Sequence, residues 1–287
     1  MQPIAINKNG PQAFILGSDG DFISNQLGND QVWGLHLDGL NIAPFYLYTT
    51  YNLRAKSMRL FPNIVVNQQR LTKLEDFSQL PTVTGYAPGA LIVEYCYSNA
   101  IKISFTCFLP GSDTIVGTIS FNNLSDQEIM LDCELAAILV PMGKGRPIQP
   151  EKINGHQILT GQSSDLFPVL WMNTGPRGIN NPYPALSSNF SLKPSSSGIL
   201  HWAFASKSSF QASLEKAKEL TSPLWHKSFQ TQMRAQERQI IQISTGNPDW
   251  DSAFYLAQVN ARSHLINLQT GILAPTFIRT RMPDDAP

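Results

Sequence analysis

The chain has 287 residues, of which 42% are hydrophobic and only 15% charged, and this composition excludes a disordered chain. Lysine plus arginine and aspartate plus glutamate each number 21, so the formal net charge is zero. A nucleic-acid binder normally carries a basic excess on one face, so we expect no nucleic acid and no membrane as partner, and we favour an uncharged partner such as a neutral sugar.

Residues 12–206 alternate short apolar runs with clusters of glycine, proline, asparagine, aspartate and serine. Runs rich in valine, isoleucine, phenylalanine, tyrosine and threonine, separated by turn residues at short intervals, predict antiparallel strands. The predicted strands are 13–16, 22–24, 31–37, 45–50, 57–61, 64–71, 90–97, 101–109, 114–122, 128–140, 157–160, 167–172, 185–192 and 198–205.

Two of these strands show the alternation most clearly, at residues 101–106 (IKISFT) and 118–122 (TISFN). Apolar side chains on one face and polar ones on the other indicate half-buried strands, so two sheets must close on each other. We therefore predict a mainly β fold, with a large two-sheet antiparallel β-sandwich over residues 1–206.

The pattern becomes helical after residue 206. Residues 208–220 carry apolar side chains at helical spacing, and Ser222 with Pro223 provides the cap and first residue of a second helical segment that ends near Arg238. Residues 239–244 look like a short strand. We assign residues 207–243 to a helical linker with a short strand.

A third helix is predicted to begin at Asn247-Pro248-Asp249, where asparagine caps and proline takes the first helical position. Its apolar stripe, which we expect to be buried, comprises Trp250, Phe254, Ala257, Ala261, Leu265 and Leu268. A stripe of nearly five turns needs helical partners or a broad sheet face.

The sequence offers no cofactor or metal motif, and we expect neither. Residues 143–146 (GKGR) resemble a phosphate cradle, but Pro141 and Pro147 flank them, so we interpret them as a loop between strands. The five histidines have no paired metal spacing, and no serine lies in a nucleophile elbow.

The chain starts without a basic segment followed by an apolar run, so no signal peptide is predicted, and its apolar runs are too short to span a bilayer. Cys96, Cys107 and Cys133 lie inside apolar runs. Three cysteines without metal spacing predict buried free thiols in a reducing compartment, and therefore a cytoplasmic protein.

Aspartates occur in three close pairs, and paired carboxylates are what glycoside hydrolysis requires, at about 5 to 9.5 Å. The pairs are Asp19 with Asp21, Asp249 with Asp251, and Asp284 with Asp285. A glycine-rich turn explains the first pair and a helix N-terminus the second. The third lies in a tail with two arginines, where we favour a solvated terminus over a catalytic pair, so no complete active site is predicted.

Aromatic side chains can also stack on sugars. Trp33, Trp171 and Trp202 lie in predicted strands, and we expect them in the core.

Five stretches carry a resemblance to a known family. They are 20–22 (GDF) with 30–33 (DQVW), 50–62 (TYNLRAKSMRLFP), 244–258 (STGNPDWDSAFYLAQ) and 277–285 (FIRTRMPDD). Together with the order of elements, they make the chain resemble the N-terminal supersandwich region of six-hairpin glycosidases, which include amylo-alpha-1,6-glucosidases, glucoamylase-like and trehalase-like enzymes.

The resemblance implies that residues 244–287 are the first helix and loop of a catalytic (α/α)6 barrel that the chain does not complete. The general acid and base of such enzymes lie far along the barrel, so no catalytic residue is expected here. The segment after the first barrel helix lies near the sugar cleft in relatives, which implies substrate-binding roles for Arg279, Arg281, Asp284 and Asp285.

Two functions follow as hypotheses. The first is a non-catalytic β-sandwich that supports a catalytic barrel acting on oligosaccharides, with the barrel missing from this chain and supplied in cis or by a partner chain. The second is a stand-alone carbohydrate-binding or scaffold sandwich. An exposed stripe on the third helix favours the first hypothesis, and a stripe buried on the chain's own sheet favours the second.

Overall fold

In the computed structural model of the protein, the residues described are 13–17, 33–37, 42–51, 53–87, 89–111, 113–222, 238, 240–263, 265–266 and 276–277. Within them the chain is mainly β, with two antiparallel sheets packed as a sandwich and two α-helices. The predicted fold class is confirmed.

Eighteen strands occur among these residues, together with helices α1 (Phe210–Leu220) and α2 (Pro248–Ser263). In chain order the strands are β1 (Ala13–Gly17), β2 (Trp33–His36), β3 (Tyr46–Thr49), β4 (Ala55–Val66), β5 (Gln69–Leu71), β6 (Gln79–Ala87), β7 (Ala90–Tyr97), β8 (Ile101–Gly111), β9 (Thr114–Asn123), β10 (Ile129–Pro141), β11 (Gly145–Ile153), β12 (His156–Ser163), β13 (Phe167–Met172), β14 (Arg177–Ile179), β15 (Ala185–Leu192), β16 (Ser197–Lys207), β17 (Leu265–Ile266) and β18 (Thr276–Phe277). A short 3-10 helix covers Leu74–Asp76.

The sandwich consists of two eight-stranded sheets. Sheet A has the order β1-β2-β3-β4-β10-β15-β14, with β5 paired to β4. Sheet B has the order β11-β12-β13-β16-β9-β8-β7-β6, and β17 pairs with β18 apart from both. Strand β1 is thus an edge of sheet A, and β6 is an edge of sheet B.

The core lies between the sheets, as the alternation in the sequence predicts. In β8 the side chains of Ile103, Phe105 and Cys107 are fully buried, whereas Ser104 and Thr106 between them are half-buried on the other face. Two of the three strand tryptophans, Trp33 and Trp202, are fully buried in this core.

Helix α1 covers part of the outer face of sheet B. Ser209 caps it by accepting a hydrogen bond from the Ala212 amide, and its apolar face places Leu214, Ala217 and Leu220 against outward side chains of β9, β13 and β16. Its predicted span is confirmed.

Strand β4 is longer than the sequence suggested, because Pro62 does not interrupt it. The predicted strands 57–61 and 64–71 leave a gap at Pro62-Asn63, yet β4 runs through both residues and pairs with β10 throughout. On the other edge of β4, the residues paired with β3 end at Leu60 and those paired with β5 begin at Ile64. Pro62 therefore lies where β4 has a strand on one side only, which a proline tolerates.

The strands that sequence reasoning missed include both edges of sheet B. Pro81 and Gly85 interrupt the apolar pattern of β6, and Pro147 interrupts that of β11, but edge strands accept proline. Both strands contain register shifts. The interpretation of residues 143–146 as a loop is correct only for the turn at Gly143, since Gly145 and Arg146 begin β11.

Two expectations near the C-terminus are wrong. Residues 240–245 form no strand, and the helix that begins at Pro248 ends at Ser263 instead of continuing to Leu268, with Leu265 in β17. The predicted helix that starts at Ser222-Pro223 and the strand 22–24 lie outside the described residues. The division at residues 206 and 243 stays a prediction.

Gly117 in β9 provides a test of the sandwich packing. A Cβ at this position would lie 2.0 Å from the Thr106 carbonyl oxygen and 2.7 Å from Cζ2 of Trp202. We expect Gly117→Ala to lower the free energy of unfolding by about 3 kcal/mol, because backbone and a buried indole must both move. Equilibrium denaturant unfolding measures the change.

The matched control is Gly111→Ala in the neighbouring strand β8. A Cβ there meets only ordinary contacts, at 3.5 Å from the Asp113 carboxylate and 3.7 Å from the Thr114 hydroxyl. Equal losses in the two variants would contradict the close packing of Gly117 against Thr106 and Trp202.

Candidate functional site

The four residues predicted to bind substrate, Arg279, Arg281, Asp284 and Asp285, lie outside the described residues. The same holds for the Asp19–Asp21 pair. Asp249 and Asp251 both lie in the first turn of α2, as predicted.

Glu134 of β10 is the one buried acid in the described part of the chain. Its carboxylate receives two hydrogen bonds from the Arg70 guanidinium, Nε to Oε2 at 2.8 Å and Nη2 to Oε1 at 2.9 Å. This bidentate bond raises the pKa of Arg70. The buried charge of Glu134 is thus satisfied by an ion pair with Arg70.

The described residues contain no cluster of three or more potential metal ligands. All three cysteines are free and buried, as predicted, and burial raises the pKa of the Cys107 and Cys133 thiols. They therefore act as small core side chains, since a thiol that stays protonated is a poor nucleophile and a poor ligand.

The surface with the clearest functional character belongs to α2. Asn247 caps the helix, its Oδ1 accepting from the Asp249 amide at 3.0 Å, and Pro248 is its first residue. This start is the one that the sequence predicts. The buried face of the helix differs from the prediction, which expected the stripe that begins at Trp250 to be buried.

One face of α2 is part of the sandwich core. Tyr255 and Val259 are buried in the same cluster as Phe14 of β1. The Tyr255 hydroxyl donates to the Tyr86 carbonyl oxygen at 2.6 Å, and the Tyr86 hydroxyl donates to Asn260 Oδ1 at 3.2 Å. Because Tyr86 is in edge strand β6 and Phe14 in edge strand β1, α2 lies where the two sheets meet at their edges.

Residues 240–247 run beside the helix and are fastened to it by side chains. Gln258 forms two hydrogen bonds with the backbone of Ile241, accepting from its N–H at 2.9 Å and donating to its carbonyl at 2.8 Å. Asp251 accepts from both the amide and the hydroxyl of Thr245, at 2.8 and 2.7 Å. These bonds replace the strand pairing that the sequence suggested for this segment.

The opposite face of α2 is apolar and exposed. Trp250 is 71% exposed and Phe254 41% exposed, and Ala257 and Ala261 are exposed below them. At about 100° per residue these four residues fall within about 60° of one another, while Val259 lies on the far side. We call them the α2 stripe.

Two isoleucines extend the apolar character next to the α2 stripe. Ile241 and Ile243 are 66% and 41% exposed. Their segment is held by Gln258 and Asp251 against the side of the helix next to Trp250. A helix with one apolar face fixed in its own domain and another facing outward is typical of an interaction surface.

Trp171 differs from the other strand tryptophans. It is half-buried on the outer face of sheet B, where the His156 ring stacks on it at 3.7 Å and the Lys218 ammonium of α1 lies 4.8 Å from its ring centre. The expectation of a core tryptophan is therefore wrong for Trp171. Its ring is already in contact with protein, so it supplies packing for α1.

Sequence comparison adds nothing to this, because no family model and no curated protein match the chain. Solved structures do match. A bacterial glucoamylase complexed with acarbose superposes with a TM-score of 0.58 at 10% identity, covering 92% of this chain and 43% of the glucoamylase. A protein assigned as a kojibiose phosphorylase, from the human microbiome, covers 86% of this chain and 35% of its own, at 12% identity and a TM-score of 0.41 that is too low to carry a conclusion.

The likeness to the glucoamylase defines the class of fold. The predicted resemblance to the supersandwich region of six-hairpin glycosidases is confirmed at the level of the fold. The chain spans less than half the length of that relative.

The attachment of α2 can be tested with Tyr255→Phe. Removing the hydroxyl deletes the 2.6 Å hydrogen bond to Tyr86 without changing the ring, and we expect it to lower the free energy of unfolding by about 1 kcal/mol. Denaturant unfolding measures the loss, and hydrogen exchange should show it concentrated in the α2 amides. Trp250→Ser is the control and should stay within about 0.5 kcal/mol, because this side chain is exposed; the reverse order would mean that the helix is attached by its other face.

The His156–Trp171–Lys218 contact predicts a pH dependence. Burial lowers the pKa of His156 from its ordinary 6.5, Lys218 lowers it further, and the hydrogen bond to the Met172 carbonyl opposes both. The unfolded chain therefore takes up this proton at a higher pH than the folded one, so stability is lost as the pH falls below 6.5. An NMR titration should give a His156 pKa below 6.5.

Lys218→Gln should raise that pKa, because it removes the neighbouring positive charge. His201 also has a pKa lowered by burial and serves as the internal control that Lys218→Gln should leave unchanged. A His156 pKa at or above 6.5 would refute the interpretation.

Proposed function

We propose that this chain is the non-catalytic β-sandwich part of a glycoside hydrolase-like protein acting on carbohydrate, and that the α2 stripe docks against the helices of a catalytic barrel. The barrel is supplied by further sequence of the same protein or by a partner chain. The exposure of the α2 stripe, on a helix whose other face is held in the sandwich, is the observation that carries the proposal.

The energetics of α2 favour a second body on its outer face. Burying a large apolar side chain such as Trp250 or Phe254 is worth roughly 1.5–3 kcal/mol each, and the chain's own sheets do not bury them. The helix does not need that burial to stay folded, because Tyr255, Val259 and Asn260 already attach it. It is therefore preformed for docking, which lowers the entropic cost of association.

The fold likeness supports the same assignment. The chain matches 43% of the glucoamylase, so more than half of that protein has no counterpart in this chain. That glucoamylase binds acarbose, and for this reason we propose oligosaccharides as the substrate class of this protein. Glu134 is paired with Arg70, and the described residues contain no second buried acid. Both observations favour a non-catalytic role over a catalytic one.

The stand-alone sandwich is the weaker candidate, because it requires the α2 stripe to be buried on the chain's own sheet. No α-helix in the described residues is long and apolar enough to cross a membrane. The free cysteines support a reducing, cytoplasmic location as part of the proposal, and the zero net charge supports a neutral sugar over nucleic acid or a membrane surface.

The docking proposal is tested by placing Trp250→Ser in two proteins, the 287-residue chain and the product of a reading frame extended past Pro287. We expect no more than about 0.5 kcal/mol of change in the first and a loss of about 2 kcal/mol in the second, because only there is the side chain buried. Denaturant unfolding of both pairs measures the difference.

The fluorescence difference between each parent protein and its Trp250→Phe variant gives an independent reading. It should report a water-exposed indole in the short chain and a buried one in the long protein. An extension without amphipathic helices would refute a barrel supplied by the same protein and leave only a partner chain to supply it. Hydrolysis of maltose-type or trehalose-type substrates by the 287-residue chain itself would refute the non-catalytic role.

A further inference from the structure

The side chains of the α2 stripe differ in size between its two halves. Trp250 and Phe254, in the N-terminal half of α2, are large, and Ala257 and Ala261, in the C-terminal half, are small. Counted along the helix, Trp250 and Ala261 are equally far from the midpoint between Phe254 and Ala257. The stripe is therefore complementary to itself, because a second copy that runs in the opposite direction places each large side chain on a small one.

The charges of α2 favour the same direction. Asp249 and Asp251 lie in the first turn of the helix. A parallel second copy would bring these carboxylates beside their own counterparts and would set Trp250 against Trp250. An antiparallel copy keeps the carboxylates at opposite ends of the pair, and it brings the positive N-terminal end of each helix to the negative C-terminal end of the other.

The segment beside the helix has the same symmetry. Gln258 holds the backbone of Ile241, and Asp251 holds Thr245. Ile243 lies between these two attachments and is exposed, so it lies close to the midpoint of the α2 stripe. In an antiparallel pair, the two copies of this isoleucine come together on one side of the pair, near its two-fold axis.

The exposed apolar area determines how strong such a pair can be. Four large side chains supply it, namely Trp250, Phe254, Ile241 and Ile243. They offer roughly 400 Å² per copy, on the basis of about 150–250 Å² for a whole aromatic side chain. A stable interface buries about 800 Å² per partner, so this surface predicts a reversible pair with a dissociation constant on the order of 100 µM. At about 1 µM, a hundredfold below that constant, the chain is a monomer with an exposed Trp250.

We propose that two copies of the 287-residue chain pair through the α2 stripe, with the two helices antiparallel about a two-fold axis that passes between Phe254 and Ala257. Trp250 of each copy packs on Ala261 of the other, and Phe254 packs on Ala257. The pair uses the surface that the proposed function assigns to a barrel, so a copy and a barrel exclude each other. The pairing does not require that a barrel exists.

Sedimentation velocity of the 287-residue chain between about 1 and 500 µM tests the pairing. The mass should rise from one chain toward two with concentration. Trp250→Ser should raise the dissociation constant at least about tenfold, because a central aromatic side chain carries much of the affinity of an interface. Ile199→Ser is the control, since Ile199 is 51% exposed but lies in β16 of sheet B, and it should leave the constant unchanged. A chain that stays monomeric throughout, or equal effects of the two substitutions, overturns the pairing.

Cysteine cross-linking under mild oxidation tests the direction of the helices. In the antiparallel pair, Ala257 is only about 4.5 Å along the helix from its counterpart, whereas Ala261 is roughly 16 Å away from its own. Ala257→Cys should therefore form a disulfide-linked dimer and Ala261→Cys should not. The parent chain should stay uncrosslinked, because its three cysteines are buried. Cross-linking of both variants indicates a parallel pair, and cross-linking of neither indicates no pair; each result overturns the proposal.

The product of a reading frame extended past Pro287 separates this inference from the proposed function. If a barrel covers the α2 stripe, the long protein should stay monomeric at concentrations where the 287-residue chain pairs. A long protein that cross-links through Ala257→Cys would support the pairing and refute the docking of a barrel. A monomeric 287-residue chain would refute the pairing and leave the docking unaffected.

Discussion

The closure of the sandwich at one pair of edges is the constraint on which the rest of the structure depends. Two sheets with apolar inner faces expose their core wherever their edges part, and β1 and β6 form such a pair of edges. Tyr255 and Val259 of α2 complete the core there, and Tyr86 receives one hydrogen bond from α2 and donates another. The helix is therefore part of the sandwich, although it follows the last sandwich strand by some forty residues.

This closure determines which face of α2 is free. Once the Tyr255–Val259 face is in the core, the α2 stripe must point away from it, since a helix of 3.6 residues per turn separates Val259 from Trp250 by about half a turn. The hydrogen bonds of Gln258 and Asp251 then hold residues 241–245 along the flank. An exposed apolar surface follows from the way the sandwich is sealed, without any flexibility in the helix.

The sequence predicted the strands well where alternation was regular, because the two-residue period records which face meets the core. Residues 101–109, with Ile103 and Phe105 inward and Ser104 between them, are such a case. It failed at edges, where Pro81 and Pro147 are tolerated for lack of a second neighbour. It also failed for residues 240–244 of the predicted strand 239–244, whose alternation reflects contact with a helix side and not with a strand.

The buried face of α2 could not be predicted for a different reason. The helix has two apolar faces, and the larger one, beginning at Trp250, gave the stronger periodic signal. Only the position of Tyr86 at the edge of sheet B, with a carbonyl available to the Tyr255 hydroxyl, decides between them. That is a tertiary contact between residues 169 positions apart, which no local pattern contains.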